Sequence, residues 1–102
     1  MALKAAFLFV APNVDPSVHR QTVVTPQVEL TAVAVNDYAQ AVEVCRQLVD
    51  EGIVAIELCG GFGHIGAARI AEAVGDRAAV GVVRFDNHPG LEFKSGDALF
   101  AG

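Results

Sequence analysis

Three glycines at fixed spacing, in Gly61-Phe62-Gly63-His64-Ile65-Gly66, separate an apolar, β-branched stretch at residues 53–59 from an alanine-rich stretch at residues 67–74. That order leaves little freedom in local structure. β-Branched residues favour an extended chain, glycine permits a tight reversal and close backbone approach, and alanine favours helix. The segment therefore predicts strand, loop and helix in succession. A helix N-terminus exposes unpaired N–H donors and partial positive charge, so an anion is the ligand such a loop suits.

The remainder of the chain repeats the alternation of strand and helix. Residues 5–10 read as a buried first strand, ended by Ala11-Pro12. Residues 13–26 contain Pro16 and Pro26 and read as a connection, with Asp15 and Pro16 opening a short helical turn. Residues 28–35 form a second strand. A first helix starts at Asn36-Asp37, with Gln40 placed as in a capping box. Tyr38, Val42, Cys45 and Val49 form its apolar stripe, and Gly52 stops it. A third strand at 53–59, a second helix at 64–74 closed by Gly75, and a fourth strand at 79–85 follow.

Strands separated by helices should run parallel with right-handed crossovers. The first link is about long enough for a parallel crossover, and an antiparallel first strand stays open. The expected fold is α/β: a small sandwich with a four-stranded, mainly parallel sheet, two main helices and a C-terminal hairpin or arm, in one domain spanning residues 1–102. Nearly continuous apolar strands imply burial on both sheet faces. On that reading Glu57 is a buried carboxylate, and Arg84, one strand over, is its partner.

The apolar fraction is 53%, above the ~45–50% usual for globular chains. That excess points to a homo-oligomer, with Leu91, Phe93, Leu99 and Phe100 of the tail at residues 90–102 buried against a neighbour. The net charge is −5 with seven Lys and Arg and no basic run, which removes the main driving force for nucleic-acid binding. No apolar run approaches the ~20 residues of a membrane span. Residues 5–10 are too short for a signal peptide, and two cysteines, Cys45 and Cys59, make no disulfide framework. The expectation is a cytoplasmic protein that binds neither nucleic acid nor membrane.

Ligands of open α/β sheets bind beyond the carboxyl ends of the strands. Asn13, Asp15, His19, Asn36, Asp37, Cys59, His64, Asp86, Asn87 and His88 all map to that edge. The candidate ligand-binding set is Gly60, Gly61, Phe62, Gly63, His64, Gly66, Asp86, Asn87 and Asn13. His64 falls in the first helical turn, where the dipole favours a neutral imidazole. His88 precedes Pro89, which holds its backbone extended. The two are candidate acid and base catalysts, and plain loop roles are the alternative. Asp86-Asn87-His88-Pro89-Gly90 also reads as a turn. A metal held by His64, His88 and Asp86 is chemically reasonable, but no close His or Cys pair supports it, so no metal is assigned. Cys59 is either a thiol activated by the helix N-terminus or a small buried residue.

Glu57-Leu58-Cys59-Gly60-Gly61-Phe62-Gly63, followed by Arg84-Phe85-Asp86-Asn87-His88-Pro89, resembles a small bacterial α/β domain family of unknown function along nearly the whole chain. That resemblance implies the fold and no activity. Residues 53–86 also resemble Rossmann-type dinucleotide-binding fingerprints, with Asp86 about 20 residues beyond the glycines and without a second mononucleotide half. The expected function is binding of a small anionic or nucleotide-like ligand at the glycine loop, with the cofactor unspecified. The alternatives are a small lyase or isomerase using His64 and His88, and a structural oligomer subunit without ligand.

Overall fold

The computed structural model describes residues 2–101. Its elements, in chain order, are β1 (Leu3–Val10), β2 (Arg20–Val24), β3 (Val28–Val35), α1 (Tyr38–Asp50), β4 (Ala55–Leu58), α2 (His64–Val74), β5 (Ala79–Val82), a 3₁₀ turn (Pro89–Leu91) and α3 (Gly96–Phe100). They build one mixed sheet in the order β2-β3-β1-β4-β5. β1, β3, β4 and β5 are parallel, and β2 runs antiparallel to β3.

The expected α/β architecture is present, with three corrections. The sheet has five strands, because residues 20–24 form β2 inside the stretch read as a connection. All five residues of β2 are exposed, so the strand carries no buried face for a sequence pattern to reveal. Thr22 in β2 bonds the buried Thr31 hydroxyl of β3 at 2.8 Å. The C-terminal segment is a 3₁₀ turn and a short helix, and its only hairpin-like feature is a single bridge between His88 and Lys94.

The helix signals act as expected. Asp37 caps α1 by accepting from the Gln40 amide, while the Gln40 side chain accepts from the Asn36 amide. The box thus closes one residue earlier than its usual form. Gly52 and Gly75, both at positive φ, follow α1 and α2.

Both helices lie on one side of the sheet. The core joins Ala6, Leu8, Val33, Val35, Ile56 and Leu58 of the strands to Val44, Leu48, Ile70 and Val74 of the helices. The topology explains why only one side is covered. The crossovers β3–α1–β4 and β4–α2–β5 both advance toward β5, so right-handedness puts both helices on the same face. The step from β1 to β3 goes the other way and would put its helix on the opposite face. The chain uses those residues for a loop and β2 instead.

The opposite face carries no helix, although Ala5 and Ala34 on it are buried, which corrects the expectation of burial on both sides. Glu57 is exposed there, and Arg84 pairs with Asp86 at 2.8 Å rather than with Glu57. No helix among the described residues is long and apolar enough to cross a membrane.

Candidate functional site

β4 delivers the chain into the buried loop 60–63, and α2 starts at His64 with Gly63 as its N-cap. Gly63 has no side chain with which to cap the helix. The acceptor comes instead from Asp97, on α3. Its carboxylate receives the Ile65 amide at 3.1 Å, the Gly66 amide at 3.3 Å and the Tyr38 hydroxyl at 2.9 Å. The Tyr38 oxygen accepts in turn from the Gly63 amide at 3.0 Å. A carboxylate of the chain thus sits where the dipole and free amides favour an anion.

Electrostatics follow from that geometry. Partial burial works to raise the Asp97 pKa, but the Ile65 and Gly66 amides, the Tyr38 hydroxyl and the nearby His64 outweigh it and hold it below the usual value. Burial pushes the Tyr38 phenol up to about 12, so the hydroxyl keeps its proton. Tyr38 also stacks on Phe62, with ring centroids 5.4 Å apart, and lies 6.0 Å from the Phe100 ring.

Close approach accounts for the glycines. A Cβ at Gly63 would overlap the Asp97 carboxylate, and one at Gly66 would stand 2.6 Å from the Tyr38 ring. The Phe85 ring occupies the space beside Gly60, and Gly96 crosses the Gly61 carbonyl too closely for any side chain. Arg69 holds the end of this cover by donating to the Ala101 carbonyl at 2.6 Å.

The structure brings Gly60, Gly61, Phe62, Gly63 and Gly66 together with Tyr38 and Asp97, with His64 near the Asp97 carboxylate, while His88, His19 and Asp86 are engaged elsewhere. His64 is exposed at the start of α2. His88 accepts the Gly90 amide on Nδ1 at 3.0 Å and packs edge-on to Phe85, with centroids 4.8 Å apart. His19 accepts the Asp15 amide on Nδ1 at 2.9 Å. Asp86 is taken by Arg84, Asn87 is exposed, and Asn13 sits in a left-handed conformation at φ 60°. Asn36 ties the Val14 backbone to Gln40. Cys59 accepts the Gly61 amide on Sγ at 3.2 Å. No hydrogen bond or ring contact joins His64 to His88, and among the described residues no group of three or more His, Cys, Asp or Glu could hold a metal ion.

Tyr38 and Asp97 were not singled out from sequence as site residues. Tyr38 reads there as one member of an apolar stripe, and Asp97 lies in the tail with no signal of its own. They are 59 residues apart, and no local spacing links them.

A family model matches residues 3–98. The chain belongs to a family of unknown function, DUF6506. Membership fits the resemblance read from the loop and from the Arg84–Pro89 stretch, and it brings no activity with it. No curated protein and no solved structure matches the chain.

Proposed function

We propose that this DUF6506 protein binds a small carboxylate- or phosphate-bearing ligand at the N-terminus of α2, and that Asp97 holds the anion position when no ligand is present. One observation carries this reading: the internal carboxylate held by the Ile65 and Gly66 amides and the Tyr38 hydroxyl. A group with the same charge and oxygen geometry could take those donors if α3 moved aside. α3 is only five residues long, with Leu99 half exposed, and moving it aside releases the packing of Phe100 on the core and the Arg69 bond to Ala101, so a ligand must offset the loss of those contacts. A nucleotide would present the same phosphate chemistry.

The test compares the parent with Asp97→Ala, titrated with inorganic phosphate and with a nucleoside monophosphate while thermal unfolding is followed. Removing the competing carboxylate should tighten binding. A ligand at a hundredfold excess over its dissociation constant adds roughly 2.7 kcal/mol of stability. If neither protein responds to either ligand, the reading is wrong.

The second reading is that the loop is a packing joint, and the fit of Phe85, Asp97 and Tyr38 against Gly60, Gly63 and Gly66 favours it. On that reading Asp97→Ala loses stability that no anion restores. Gly63→Val does not separate the two readings, because its side chain would collide with Asp97 in either case. Acid–base chemistry by His64 and His88 has no comparable support, since they share no contact.

A further inference from the structure

We propose that the bare face of the sheet is a homodimer interface, formed about a two-fold axis that runs along the central strand β1. The face is mostly apolar. Strand register places Val23, Leu30, Ala5, Ala55 and Ala79 in one row across it, and Gln21, Ala32, Phe7, Glu57 and Gly81 in the next. Among these ten positions only Glu57 is charged. Val23 is 61% exposed, and Leu3 and Phe9 extend the patch along β1 at 47% and 36%.

Side-chain size varies across the rows in a way that suits a second copy of the same chain. A two-fold axis along β1 lays β3 of one subunit over β4 of the other, and β2 over β5. Leu30 then faces Ala55 of the partner subunit, Val23 faces Ala79 of the partner subunit, and Gln21 faces Gly81 of the partner subunit. Glu57 faces Ala32 of the partner subunit, with Gln21 of the partner subunit one strand over to donate to its carboxylate. Away from the axis each large side chain meets a small one, as interdigitating sheet faces require, while Ala5 and Phe7 of β1 meet their own copies on the axis; a surface that meets its own rotated image makes an isologous contact.

The area suffices. Five strands of up to eight residues cover on the order of 500 Å² in projection, and pleat and side chains bring the accessible surface toward the about 800 Å² per partner of a standard interface.

The full chain should sediment as a dimer at micromolar concentration. Val23→Lys and Ala79→Glu should each weaken the dimer by roughly tenfold or more while leaving circular dichroism unchanged, because both positions are exposed at opposite edges of the sheet. The double variant Val23→Lys/Ala79→Glu should restore it. Those two residues are separated by four strand spacings, about 19 Å, within one subunit, so only pairing between subunits can produce the rescue. Leu99→Lys, on the C-terminal helix, should leave the dimer intact. A monomeric parent, a dimer indifferent to both single changes, a double variant that fails to re-form it, or a dimer broken by Leu99→Lys would each overturn the proposal.

Discussion

Replacing Asp97 by alanine removes the acceptor for two main-chain amides of α2 and for the Tyr38 hydroxyl. The cost can be bounded from those contacts. Loss of a helix cap typically costs about 1 kcal/mol, and a hydrogen bond to a charged group is worth roughly 1.5–3 kcal/mol before solvent competes for it. Asp97 is half-buried, so water can replace part of what the amides lose. Tyr38 keeps a weaker acceptor, the Gly61 carbonyl at 3.4 Å. A net loss of about 1–2 kcal/mol follows, read as a fall in Tm of roughly 4–8 °C per kcal/mol for a domain this size.

The pH dependence supplies the control. Because the folded-state pKa of Asp97 lies below its ordinary value, its contribution is whole above the unfolded pKa of about 3.9 and is lost as pH falls through the folded value. Parent and variant should therefore differ at neutral pH and converge in acid. Asp97→Asn, which can still accept from the amides, should fall between them. Urea unfolding that finds Asp97→Ala within about 0.3 kcal/mol of the parent at pH 7, against the typical cap cost of about 1 kcal/mol, would refute the idea that Asp97 caps α2.

Two more outcomes follow from the packing. Gly66→Ala should destabilise despite alanine's better helix propensity, because about 1–3 kcal/mol of overpacking against Tyr38 exceeds the at most about 1 kcal/mol gained; denaturant melts showing a more stable variant would contradict the close approach. Burial pushes the Cys45 thiol up to about 12, and Cys59 is only half-buried. A thiol-specific reagent should therefore label Cys59 first in the folded protein, and stability should decline as pH rises above the unfolded thiol value of about 8.5, since the folded state holds that proton longer. Equal labelling rates would count against a sealed Cys45.

Elements whose causes are local can be read from the chain alone. Apolar runs marked β1, β3, β4 and β5, and the Asp37–Gln40 pair and Gly52 bracketed α1. The glycine loop marked where α2 begins, because one residue's allowed backbone and its neighbours' propensities suffice to stop a strand and start a helix. Tertiary structure decided what no local pattern carries. β2 exists because β3 offers it an edge to pair with, and Glu57 is left uncovered within the subunit because the β1-to-β3 step supplies no helix to cover it. The anion position at α2 is filled by Asp97 because the fold returns the C-terminal segment over the loop. Each of these depends on groups far apart in sequence meeting in space, and only the folded chain brings them together.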